Sequence, residues 1–194
     1  MKKIYLTAQS QFIGEPQEAK LLRQQLKERG IDARRLSRFT QLNLLAVLPL
    51  KEKISSKTVL YLGSPFSSPS TFDKMFHNLM EQDLPSPLDF MANVSNAAIF
   101  HIAQQFQLEN NCSFISINQN NYWQPLWLAI NDLLQGEAET ALVGWGLEHS
   151  YPNQKEGVIW WLISTNAENS VDEINIKNIK EHTKSIQTQL FENP

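Results

Sequence analysis

The sequence predicts an α/β domain, and three observations carry that reading. Apolar runs of strand length alternate with segments of helical period up to about residue 165. The 194 residues are 42% apolar and 10% aromatic, enough for one sizeable core and unlike a disordered tail. No apolar run reaches the roughly 18 residues that suggest a membrane-spanning helix, so no membrane span is expected.

Residues 4–8 read as a first strand. Residues 15–29 read as a helix with Ala19, Leu22 and Leu26 on one face, stopped by Gly30. Residues 36–48 repeat apolar side chains at helical spacing up to Pro49, and 51–57 form a polar loop. Residues 58–62 are a continuous apolar strand suited to burial on both faces. A helix over 70–82 carries Phe72, Met75, Phe76 and Leu79, and residues 84–87 make a rigid extended turn around two prolines. Residues 96–106 are apolar nearly all round, which predicts a buried helix. A short strand over 114–117 and an apolar helix over 122–134, ended by Gly136, come next. Strands over 140–143 and 158–163 close the set, joined by a loop holding Gly144, Gly146, Pro152 and Asn153. Residues 1–165 are thus one domain. Residues 166–194 form a polar tail, either a last helix or a partly mobile end.

Composition excludes several function classes. Lys and Arg number 17 against 20 Asp and Glu, a net charge of −3, so the basic excess of a nucleic-acid or anionic-membrane binder is missing. The charged share is only 19%, and Asn and Gln, sixteen of each, make up the difference. One cysteine, Cys112, excludes an intrachain disulfide framework and a cysteine metal cluster. No signal peptide is read at the start, because Thr7, Gln9, Ser10 and Gln11 interrupt the first apolar residues, and a cytoplasmic location is expected. Gly144-Trp145-Gly146 is not a phosphate loop, no Gly-x-Ser-x-Gly elbow appears, and no metal-ligand spacing is found. No cofactor is expected.

Four fragments in order resemble the β-ketoacyl synthases of the thiolase-like fold. Arg34-Arg35-Leu36-Ser37-Arg38-Phe39 resembles their Arg-Arg-Met-Ser-Arg-Phe helix start. Ser86-Pro87, Phe90 and Asn93-Val94-Ser95-Asn96-Ala97 are similar to the Ser-Pro…Phe…Ser-Val-His-Asn-Ala run of synthase-like amino-terminal proteins, a subgroup with chain length factors. The strand, helix and Gly136-Glu137-Ala138-Glu139 step, then residues 140–146, follow the order around the synthase nucleophile. Glu156-Gly157-Val158 matches the start of the next family strand. The resemblance covers roughly residues 34–165 and implies a thiolase-like half-fold, the amino-terminal half of a synthase, with a mixed sheet and helices on its faces.

Counting back from Gly136 by the family's spacing places Gln119 where synthases carry their cysteine. The chemistry needs a thiolate, activated at a helix start, to accept the acyl chain. A primary amide cannot form that thioester, and chain-length-factor subunits carry Gln there. Some decarboxylating domains do too, but the resemblance implies that they need two histidines from a carboxy-terminal half, so decarboxylation by residues 1–194 alone is not expected. Asn118, Gln119, Asn120 and Asn121 are equally suited to capping the helix that follows. The subgroup's His is Ser95 here, so any role of that histidine is lost or changed.

Residues expected to line a pocket or tunnel are Phe90, Asn93, Ser95, Asn96, Asn118, Asn120 and His149, with Gln119 at the former nucleophile position. Arg34, Arg35 and Arg38 read either as a solvated helix start or as a contact for an acidic acyl carrier protein. Trp160 and Trp161 are adjacent in a strand and must face opposite sides, so a half-fold needs a cover for one sheet face. A large apolar interface is therefore expected, filled by a ketosynthase subunit or a second copy, with the tail from Asn166 covering part of it. The leading expectation is a non-catalytic, chain-length-factor-like partner subunit of fatty acid, polyene or polyketide synthesis. The rivals are a dimeric scaffold without acyl contact, and an acyl-processing hydrolase or transferase using Ser95, Ser116 or His149.

Overall fold

The continuous apolar runs become the central strands of one six-stranded sheet in the computed structural model, which describes residues 2–149 and 155–191. In chain order the elements are β1 (Ile4–Gly14), α1 (Ala19–Glu28), α2 (Arg38–Val47), β2 (Val59–Ser64), α3 (Pro69–Gln82), α4 (Pro87–Asn93) and α5 (Ala97–Phe106). β3 (Cys112–Ser116), α6 (Gln124–Gln135), β4 (Thr140–Leu147), β5 (Glu156–Ser164) and β6 (Asp172–Ile174) complete the set, followed by short helical turns to Phe191. The strand order is β3-β2-β4-β5-β1-β6. β2 runs parallel to β3 and β4, each reached by a helical crossover, while β5 is antiparallel to β4 and β1, and β6 to β1.

The alternation of side chains across β5 divides the interior in two. Trp161 points toward α6 and packs with Trp145, ring centroids 5.3 Å apart at 72°, among Leu126, Ile130 and Leu133. Trp160 points the other way, toward α1, α2 and α5, with Leu22, Leu26, Phe39, Leu42 and Ile102. Both indoles are satisfied: Trp145 donates to the carbonyl of Tyr122 at 2.7 Å, and Trp160 to that of Asn43 at 3.3 Å. The two tryptophans divide as their adjacency requires.

Several boundaries differ from the sequence reading, each for a tertiary reason. Gly144 and Gly146 are not loop residues; they lie inside β4. A Cβ on Gly144 would sit 2.3 Å from the Trp160 ring, and one on Gly146 2.8 Å from the Phe39 ring. The glycines are slots for aromatic rings, not turn signals. Pro152 and Asn153 lie outside the described residues. β1 continues past residue 8 to Gly14, because Gln9, Ser10 and Gln11 keep pairing with Trp161, Trp160 and Ile159 of β5. α5 is buried on one side only; Phe100 is 61% exposed.

The stretch after Thr165 is folded onto the sheet. It adds β6 beside β1, and Ile174, Ile179, Ile186 and Leu190 enter the core on the α6 side. The expected need for a cover on one sheet face is thus met within this chain. Exposed apolar surface lies instead on the helical layer. Among the described residues, eleven of the fourteen exposed large apolar side chains fall between Phe66 and Phe100, and neither α3 nor α4 buries a single residue.

Candidate functional site

The carboxy-terminal ends of β2, β3 and β4 lie side by side, because Ser64 is paired with Ser116 and Gly63 with Trp145. In open α/β sheets ligands bind at that end of the parallel strands. Three loops gather here. Residues 118–123 turn from β3 into α6 and carry Gln119, residues 65–68 lead from β2 into α3, and Glu148 and His149 follow β4.

Gln119 is exposed, and its amide makes no hydrogen bond to another described residue. Its neighbours organise the turn. The Asn118 side chain accepts from the backbone N–H of Asn120 at 2.8 Å, the Asn121 side chain accepts from the N–H of Asn118, and the Asn120 carbonyl accepts from Trp123 Nε1 at 3.2 Å. These asparagines cap backbone amides, as their composition suggested. Asn93 joins the same end of the sheet, its carbonyl and Oδ1 accepting from Ser67 Oγ at 2.9 and 3.3 Å. Ser95 and Asn96 are exposed in the bend between α4 and α5, and Phe90 is 62% exposed on α4, on the apolar surface rather than in a cavity.

A buried carboxylate also lies at this end of the sheet, at Glu148 beside the expected His149. Glu148 is fully buried; Ser68 Oγ donates to its Oε2 at 2.6 Å and the Ser70 backbone N–H to its Oε1 at 3.0 Å. A carboxylate from β4 thereby caps α3, whose own N-cap Ser68 makes no side-chain capping bond. Burial pushes the Glu148 carboxyl above its ordinary range, opposed by the hydrogen bonds from Ser68 and Ser70. The acid that caps α3 lies 80 positions away from Ser68 in the chain.

The basic cluster is split. Arg38 is largely buried, paired through Nε (2.8 Å) and Nη2 with Glu156 and donating to the carbonyl of Gln17 at 2.7 Å. Arg34 is exposed and clamped by Asp32, whose carboxyl its hydrogen bonds hold down at about 2. Arg35 is exposed. Arg38 therefore serves the interior, and only Arg34 and Arg35 face solvent.

The hydroxyls of Ser95 and Ser116 make no hydrogen bond to a described residue. Cys112 opens β3, and burial pushes its thiol up, opposite to the shift that activates a nucleophile. Burial lowers the His101 pKa, and its ring packs edge-on against Phe100 at 5.3 Å. Among the described residues no group of three or more His, Cys, Asp or Glu is placed to hold a metal, and no helix is long and apolar enough to cross a membrane.

No family model matches the sequence, and no curated protein matches it. Solved structures do share its fold. A type II polyketide synthase acyl carrier protein in complex with its ketosynthase (AntDE:AntF) aligns with TM-score 0.68 at 13% identity, over 84% of this chain and 62% of that one. The ishigamide ketosynthase/chain length factor gives 0.66 at 15% identity, over 87% and 63%. A ketosynthase (ApeO) in complex with its chain length factor (ApeC) from Xenorhabdus doucetiae gives 0.62 at 16% identity, over 84% and 79%. The chain thus has a thiolase-like, ketosynthase-like half-fold, and it spans less than two thirds of the first two structures it matches.

Proposed function

We propose that this chain is a non-catalytic, ketosynthase-like partner subunit that pairs with an active ketosynthase and shapes its acyl tunnel during polyketide, polyene or fatty acid synthesis. The observation that carries the reading is the uncovered surface beside β3. β3 is the sheet edge; its five residues include no charge and no proline, and among the described residues its outer row of backbone groups has no strand partner. α5 touches β3, α4 touches α5, and α3 packs on α4. The exposed apolar side chains of residues 66–100 therefore continue the open edge in one direction. A patch of this kind marks a protein interface, and antiparallel pairing along β3 would extend the sheet into the partner. The non-catalytic part rests on chemistry: the turn after β3 presents the amide of Gln119, which cannot ionise to a nucleophile.

The test is co-expression of the tagged chain with each ketosynthase encoded in the same genome, followed by light scattering and reconstituted product analysis. A 1:1 heterodimer is expected, weakened by Phe72→Asp/Phe76→Asp on the exposed face of α3. Gln119→Ala is expected to keep the heterodimer and change product length. Failure to pair with any ketosynthase overturns the reading. A homodimer with no acyl contact would be its replacement.

A further inference from the structure

Among the described residues the sulfur of this chain is held by four side chains, and three of them sit on one layer. Cys112 opens β3, while Met75, Met80 and Met91 belong to α3 and α4. The four differ in access. Met80 and Met91 are each 65% exposed, and Met75 is half-buried. Cys112 is half-buried too; its thiol donates to the Asn110 carbonyl at 3.4 Å, and burial pushes the thiol up, which withholds the thiolate that oxidants attack. The sulfur most open to a dissolved oxidant is that of the two exposed methionines.

Both lie within the apolar surface. On α3, Phe72, Phe76 and Met80 recur every fourth residue and share one helix face, the two phenyl rings stacked with centroids 6.1 Å apart. On α4, Met91 follows the exposed Leu88 by three positions. Lys74 Nζ on α3 donates to Asp89 Oδ1 on α4 at 3.0 Å, so the two helices present their methionines as one layer. A thioether is a flexible apolar group that adapts to a covering surface. Its sulfoxide is polar and loses its water when an apolar partner covers it. Neither helix buries a residue, so in the unpaired chain a sulfoxide at either position stays hydrated and the fold loses little. The penalty falls on pairing.

We infer that Met80 and Met91 are redox modification sites: a hydroperoxide oxidises them in the unpaired chain and thereby withdraws the face of α3 and α4 from its ketosynthase partner. The inference rests on the partner-subunit reading for what that face binds. In the step, the methionine sulfur attacks one peroxide oxygen, the O–O bond breaks and an S–O bond forms. Sulfur gives up two electrons, and the other oxygen leaves as water, or as an alcohol from an organic hydroperoxide, with the proton released by the first. A methionine sulfoxide reductase reverses the change.

The test treats the purified chain with millimolar hydrogen peroxide, locates the added oxygen by peptide mass spectrometry, and measures affinity for the ketosynthase found by co-expression before and after treatment. Met80 and Met91 are expected to oxidise ahead of Met75, with Cys112 still reduced and the thermal midpoint unchanged. Affinity should fall about tenfold or more, as for burial of unpaired polar groups, and recover with methionine sulfoxide reductase and dithiothreitol. In Met80→Leu/Met91→Leu, which keeps Met75 and Cys112, the ratio of affinities before and after peroxide should approach one. Oxidation that starts at Met75 or Cys112, unchanged affinity in the doubly oxidised chain, or an equal loss in Met80→Leu/Met91→Leu overturns the inference and leaves the partner-subunit reading standing. A chain that pairs with no ketosynthase even before treatment overturns that reading, and this inference with it.

Discussion

Glu148 offers the sharpest test of how the helical layer is held. α3 buries none of its 14 residues, yet its first turn is tied to the sheet by Ser68 Oγ and the Ser70 N–H, both donating to the buried Glu148 carboxylate. Glu148→Ala removes both bonds and leaves the Ser70 N–H without its acceptor. Hydrogen bonds to a charged group contribute about 1.5–3 kcal/mol each, and relief of the desolvation of Glu148 offsets part of that, so a net loss of about 2–3 kcal/mol is expected. For a domain of this size that is about 4–12 °C in Tm. Glu148→Gln keeps both contacts, with Oε1 accepting from Ser70 and Nε2 donating to Ser68, and carries no charge. The pH dependence follows from the direction of the shift. A carboxyl whose folded pKa is raised imposes no penalty below the ordinary glutamate value of 4.5, and stability then declines as pH climbs through the raised value. Glu148→Gln should remove that decline, matching wild type near pH 4 and equalling or exceeding it at pH 7. Thermal unfolding by circular dichroism between pH 4 and 8 measures this, and hydrogen exchange in α3 reports the local loss in Glu148→Ala. The reasoning is refuted if Glu148→Gln at pH 7 loses as much stability as Glu148→Ala, or if Glu148→Ala loses under 0.5 kcal/mol.

Two further perturbations probe the core. Gly144→Ala places a methyl 2.3 Å from the fully buried Trp160 ring, and overpacking should cost about 3 kcal/mol, read as a lower midpoint in urea unfolding. Arg38→Ala leaves Glu156, 2% exposed, without its cation and should destabilise by about 3–5 kcal/mol; equal stability for Arg38→Ala and wild type in the same assay would restore Arg38 to the surface cluster.

How much of this was legible in sequence depended on whether the deciding partner was local. The runs at 58–62, 140–143 and 158–163 reveal strands because burial on both faces demands continuous apolar residues, and all three lie in the sheet. The Trp160-Trp161 pair forces two cores through strand alternation alone. Gly144 and Gly146 mislead because glycine marks a turn in local terms, whereas here it admits rings from β5 and α2. Arg38 misleads similarly: its neighbours Arg34 and Arg35 suggest a solvent face, and the acid that draws it inward is 118 positions away. The asparagine turn at residues 118–121 was legible in its composition, while the role of Glu148 was not, because it needs β4 and α3 to be adjacent.

The tail changes which surface of the sheet stays open. A half-fold with both sheet faces apolar would expose the α6 side, and a second half or a second subunit would have to cover it. Ile174, Ile179, Ile186 and Leu190 fill that role instead, and Tyr122 on the same side donates its hydroxyl to the Lys180 carbonyl at 3.2 Å. The other face is closed by α1, α2 and α5. With both faces closed, the apolar side chains left in water lie mainly on the layer formed by α3 and α4, near the open edge at β3. That layer is tethered to the end of β4 by Glu148 and internally by Ser67 bonded to Asn93, polar contacts at its base rather than a buried apolar seam. Few buried contacts mean low local stability, so the amides of α3 and α4 should exchange faster than those of the sheet strands.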